Sequence, residues 1–123
     1  MPISMNYFDK SELICKCGCG VSAMDSRFLE KLNSIRQSVG QPFIVNSAYR
    51  CPDHNSEVSS TGPGGPHTTG RAIDIRADSR LKYAILDEAR KCGITRFGVG
   101  KTFIHFDDLT EADGFAGRVI WTY

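Results

Sequence analysis

Apolar residues recur at intervals of three and four between residues 25 and 39, as Phe28, Leu32, Ile35 and Val39. This spacing predicts a helix with one buried face, capped by Asp25 or Ser26 and stopped by Gly40. After Pro42, the run Phe43-Ile-Val-Asn-Ser-Ala-Tyr49 is rich in β-branched and aromatic residues and reads as a strand. Residues 51–66 are dominated by proline, glycine and serine and read as a long surface loop with room for one short helical turn. Loops of this length in compact domains are often functional. Residues 71–77 read as a second strand. Ser79 caps a second predicted helix, with Leu81, Ile85, Ala89 and Cys92 on its inward stripe and Gly93 as its stop. Residues 95–99 and 103–107 form two further strands around the turn Gly100-Lys101, and residues 119–123 offer a last short one. The order predicts one α+β domain over residues 1–123, with a mainly antiparallel sheet.

Alternation within two of these strands carries the chemistry. In Ala72-Ile-Asp-Ile-Arg76, Ile73 and Ile75 face one way and Asp74 the other. In Phe103-Ile-His-Phe-Asp107, Ile104 and Phe106 share one face while His105 and Asp107 share the opposite one. Each strand thus buries an apolar pair and presents a polar residue above it. His67 lies in the loop just before the first strand, and Gly70 permits the chain to turn back. Two histidines and a carboxylate form a ligand set typical of catalytic zinc, which keeps a fourth position open for water. The same residues have a plainer reading. Asp74 would then pair with Arg71 or Arg76, and His105 would be hydrogen-bonded beside Asp107.

Charge narrows the partners. Fifteen basic and 14 acidic residues give a net charge of +1, which offers no electrostatic case for nucleic acid or an anionic membrane. No apolar run approaches the ~20 residues that cross a bilayer, so no membrane insertion is expected. The amino-terminal run Met1-Pro-Ile-Ser-Met-Asn-Tyr-Phe-Asp9 lacks the basic start and apolar stretch of a secretory signal, and synthesis in the cytoplasm is the expectation. Five cysteines, an odd count, argue against a secreted disulfide framework. Cys15, Cys17 and Cys19 are spaced more tightly than in zinc knuckles. A tight glycine-containing turn with free thiols is the preferred reading, with a structural metal or a redox bridge involving Cys51 as the alternative.

The segments Ser47-Ala-Tyr-Arg50, Cys51-Pro-Asp-His-Asn55, His67-Thr-Thr-Gly-Arg-Ala-Ile-Asp74 and Phe103-Ile-His-Phe-Asp107, in this order, resemble the zinc D-Ala-D-Ala carboxypeptidase and L-alanyl-D-glutamate endopeptidase family. That family shares a superfamily with lysostaphin-type peptidases and the amino-terminal domain of hedgehog. Cys17-Gly-Cys-Gly20 and Val119-Ile-Trp-Thr-Tyr123 resemble its short phage and prophage members. The resemblance implies helices on one face of the sheet and, on the other, one catalytic zinc ion held by His67, Asp74 and His105. It also implies that Arg50 steadies the substrate carbonyl and its oxyanion, the plainer role for Arg50 being a partner for Asp74 or another buried carboxylate. Ser47 and Tyr49 either shape the substrate pocket or pack within their strand, and His54, which matches no ligand, belongs to the loop surface. The implied substrate is a peptidoglycan stem peptide. The protein would be a wall lysin released through a holin-type pore or carried in a phage tail. Many relatives place an acidic general base three residues before the last histidine, where this chain has Thr102. Asp107 is the substitute, either as proton acceptor or as a group orienting His105; Asp108 and Glu57 are poorer choices. The rival reading is a non-catalytic, zinc-stabilised wall-binding or virion module.

Overall fold

The computed structural model describes residues 6–123; part of the amino-terminal run read for a signal lies outside them. Helices α1 (Lys10–Leu13), α2 (Ser26–Val39), α3 (Pro52–Val58) and α4 (Ser79–Lys91) accompany strands β1 (Ile44–Ser47), β2 (Ala72–Arg76), β3 (Arg96–Val99), β4 (Phe103–Asp107) and β5 (Val119–Thr122). The five strands form one sheet in the order β1-β2-β4-β3-β5. Three of its pairings are antiparallel, and β3 with β5 is parallel. The architecture is α+β, as the element order predicts, with a mixed edge that the order alone does not disclose.

Local chemistry fixes the long helices. Asp25 caps α2 by accepting from the Phe28 N–H, and Gly40 ends it in the left-handed conformation at φ 74°. For α4 the cap is Asp78, which accepts from the Leu81 N–H, rather than Ser79. The carboxylate one residue earlier has the reach to the third helical amide, so Ser79 becomes the first residue of the helix. Both helices lie over one face of the sheet. Phe28, Leu32 and Ile35 from α2 and Ile85 and Ala89 from α4 join Ile73, Ile75, Phe97, Ile104 and Phe106 in a single core. Each fully buried side chain of this size contributes about 1.5–3 kcal/mol. The opposite face of β2, β4 and β3 is left for polar groups.

The segment 51–66 departs from the expected loop. Seven of its residues form α3, started by Pro52 at the first position and by the Cys51 Sγ accepting from the His54 N–H. Two 3-10 turns follow, Gly62–Gly64 and Pro66–Thr69. A helix of two turns is too short to show an apolar period, which is why the composition reads as loop. Gly70 then takes φ +75°, and a Cβ there would collide with the Ala23 carbonyl oxygen. Its turn back into β2 brings His67 beside the sheet.

Candidate metal centre

In the register of β2 with β4, Asp74 lies opposite His105, and β1 sets Ser47 opposite Asp74. His67 joins them from the second 3-10 turn. His67 Nε2 lies 3.3 Å from Asp74 Oδ1, and His105 Nδ1 lies 2.8 Å from the same oxygen. The three ligand atoms fall within 4.8 Å of one another, and the two imidazoles meet edge to face at 5.1 Å. Both histidines are buried, and Asp74 keeps a small exposed edge.

The second ring nitrogens settle which atoms are available. His67 Nδ1 donates to the Ala48 carbonyl at 2.7 Å, so Nε2 is the ring nitrogen turned toward Asp74. His105 Nε2 donates to Asp107 Oδ2 at 2.7 Å, which directs Nδ1 to the same point. A carbonyl or carboxylate behind each imidazole is the arrangement that fixes tautomer and ring orientation in metal sites. Two neutral imidazole nitrogens and one carboxylate oxygen, converging beside an open cleft, fit zinc with an open coordination position. Burial opposes the charge on Asp74, yet the hydrogen bonds to His105 and His67 hold its carboxyl well below the usual carboxylate range. Burial lowers His105 too, but its bonds to Asp107 and Asp74 outweigh this and raise it above the ordinary imidazole value.

Of the plainer readings of Asp74, pairing with Arg71 or Arg76 does not occur, whereas pairing with Arg50 does. Arg71 turns to Asp108 at 2.7 Å and Asp113 at 2.8 Å, and Arg76 is exposed. The cation that approaches Asp74 is Arg50, whose Nη2 lies 3.6 Å from Oδ2. Arg50 is held by Nε donating to Ser47 Oγ and Nη1 donating to Asn55 Oδ1, each at 3.0 Å. Asn55 is almost fully buried and donates in turn to Thr61 Oγ1 at 2.8 Å and to the Gly62 carbonyl. It ties the arginine to the loop at the cleft rim. The motif Cys51-Pro-Asp-His-Asn55 contains that residue, but only the fold reveals its task.

Asp107 is fully buried and has both oxygens engaged. Oδ1 accepts from Arg96 Nε at 2.6 Å and from the Leu109 N–H at 3.2 Å, and Oδ2 accepts from His105. Arg96 was invisible to sequence reasoning because its partner lies 11 residues away on the neighbouring strand. It is buried, donates to the Ala116 carbonyl, and stacks its guanidinium 5.1 Å from the Trp121 ring and 5.2 Å from Phe115. Thr102 is exposed, and its carbonyl accepts from the Ala77 N–H. Asp108 is taken up by Arg71 and Lys31. Glu57 is 75% exposed on α3 and lies 3.8 Å from His54 Nδ1.

A cleft of about 480 Å³ opens over the three ligands, between the α3 segment and Phe103, Phe115, Trp121 and Tyr123. Its size lies in the range that takes small ligands and short peptides. Gly98, opposite both His105 and Trp121 in the sheet, has no side chain to keep the Trp121 indole away; a Cβ there would stand 2.5 Å from the indole nitrogen. Asp74 is the sole carboxylate on the cleft wall among the described residues.

A second group of side chains also converges. The Sγ atoms of Cys15, Cys17, Cys19 and Cys51 lie within 4.8 Å of one another, so the fold brings Cys51 to the amino-terminal trio. No helix among the described residues is long and apolar enough to cross a membrane. No curated protein matches the chain significantly. A family model does match, over residues 6–107, and its family is described as peptidase M15. The chain therefore belongs to the M15 peptidases, a family of zinc-dependent metallopeptidases.

Proposed function

We propose that this protein hydrolyses an amide bond in the stem peptide of peptidoglycan, as a D-Ala-D-Ala carboxypeptidase or an endopeptidase. The observation that carries the reading is the convergence of His67, Asp74 and His105 beneath an open cleft with Arg50 at its edge. Bound zinc supplies a Lewis acid, which polarises a carbonyl and makes water nucleophilic near neutral pH. The chain supplies the rest. Arg50, a planar and permanently charged donor pinned by Ser47 and Asn55, binds the substrate carbonyl and the oxyanion that develops on it. Phe103, Trp121 and Tyr123 exclude water from one wall. Asp107 and Arg96 position His105 rather than take a proton, because neither Asp107 oxygen is free.

A second reading has an observation of its own. Asp74 is the one cleft carboxylate among the described residues, and its low proton affinity suits a ligand better than a base. A zinc-stabilised module that binds the wall without cutting it would need no base. Incubating zinc-loaded protein with purified peptidoglycan separates the two. Newly freed amino groups, lost in His67→Ala, support the peptidase; wall pelleting without release supports the module. Delivery belongs to the same proposal: synthesis in the cytoplasm, then release through a partner pore or carriage in a phage tail. It rests on the resemblance of residues 17–20 and 119–123 to short phage members.

A further inference from the structure

We propose that Cys15, Cys17, Cys19 and Cys51 bind a second, structural zinc ion, separate from the ligand set of His67, Asp74 and His105. Four thiolates about 2.3 Å from a tetrahedral zinc stand about 3.8 Å from one another. The measured separations are 3.4 Å for Cys15 to Cys17, 3.7 Å for Cys15 to Cys51 and 3.6 Å for Cys17 to Cys51. Three sulphurs from two segments more than 30 residues apart thus already approximate one face of such a tetrahedron, and Cys19 Sγ lies within 4.8 Å of all three. An all-thiolate tetrahedral set selects zinc among redox-inert biological cations. Binding releases the thiol protons to solvent.

Two further features suit such a site. Backbone amides point at the sulphurs, as outer partners of a metal thiolate do: the Cys51 N–H donates to Cys15 Sγ at 3.3 Å and the His54 N–H to Cys51 Sγ at 3.4 Å. The chain also turns tightly to present them, with Gly18 at φ +91° and Gly20 at φ +75°, and the Cys15 N–H closes the turn on the Val21 carbonyl at 3.0 Å.

The location says what the ion would do. Residues 14–25 contain no helix or strand, and Cys15 is their one buried residue. Such a segment buries little apolar surface with which to hold itself in place, Met24 being its one residue besides Cys15 that packs inward. Cys51 caps α3 and directly follows Arg50. An ion at this point ties the amino-terminal segment to the start of the helix whose Asn55 holds Arg50.

Metal content of the purified full-length chain, measured by mass spectrometry after desalting, tests the proposal without reference to activity. The wild type should carry two zinc ions and the His67→Ala/His105→Ala variant one. The Cys17→Ser/Cys19→Ser variant, altered only at exposed positions, should also carry one. Cobalt substituted into the histidine variant should show thiolate-to-metal charge-transfer absorption and the strong visible bands of a tetrahedral ion. This spectrum keeps the test decisive if the cysteine variant does not fold. A histidine variant free of metal overturns the proposal, as does a disulfide among these cysteines in protein purified without reductant. Failure of the peptidase reading leaves all these results unchanged.

Discussion

Asp107 decides how the centre is read at the level of single residues. Alternation along β4 correctly sets it on the face of His105, but it does not reveal that Arg96 and the Leu109 amide occupy the other oxygen. Asp107→Asn should therefore weaken zinc binding about 10–100-fold, the usual effect of losing a group that orients a histidine ligand. Competition with a chromophoric chelator measures this. Unchanged affinity with a large loss of turnover would make Asp107 the proton acceptor instead. The pH dependence follows from His105. Its partners raise its pKa, so its proton competes with zinc to a higher pH than on a free imidazole of about 6.5. Calorimetric titrations should show zinc affinity falling as the pH drops through that raised value. The sign reverses for stability of the zinc-free protein. A raised histidine stabilises the fold fully below about pH 6.5, and that contribution disappears as the pH rises through the folded value. The depressed Asp74 contributes above about pH 3.9 and is lost only in stronger acid. Zinc-free protein whose melting temperature does not fall as the pH rises above the ordinary imidazole value of about 6.5 would contradict this assignment.

The 3-10 turn before β2 is the element that joins loop to sheet. Gly70 carries the left-handed φ, and its Cα passes against the Ala23 carbonyl, whose neighbour Asp25 donates its N–H to the Gly70 carbonyl at 2.9 Å. Gly70→Ala should destabilise the fold by at least about 1–3 kcal/mol through strain and collision together, read from urea unfolding. A midpoint equal to wild type would mean that the turn relaxes freely. The elements themselves were legible to different degrees. Apolar periods were sufficient for α2 and α4, with the cap read correctly for α2 and one residue late for α4, and period-two alternation was sufficient to put Asp74 and His105 above a buried layer. The helix α3 was not legible, because two turns carry no period and its start depends on a cysteine cap and Pro52. The parallel pairing of β5 was also hidden, since strand composition does not encode the direction of a neighbour. Arg50 is marked by the family resemblance, whereas the tasks of Asn55 and Arg96 came into view only with tertiary pairing.

At the scale of the whole molecule, the sheet divides labour between its faces. Helices α2 and α4 bury the apolar side, while the other side carries the ligands and a cleft walled by α3 and the end of β5. This rigid backing fixes Asp74 and His105 on paired strands, and the 3-10 turn before β2 brings His67 to them. The activity proposed for the cleft is cleavage of peptidoglycan stem peptides, with zinc held by His67, Asp74 and His105. Mass spectrometry of muropeptides after digestion by the zinc-loaded protein tests it most directly. New fragments should appear that differ from their parents by hydrolysis of one type of peptide bond, and they should be absent with His67→Ala. An unchanged muropeptide profile, from protein with zinc verified at the histidine site, would contradict it.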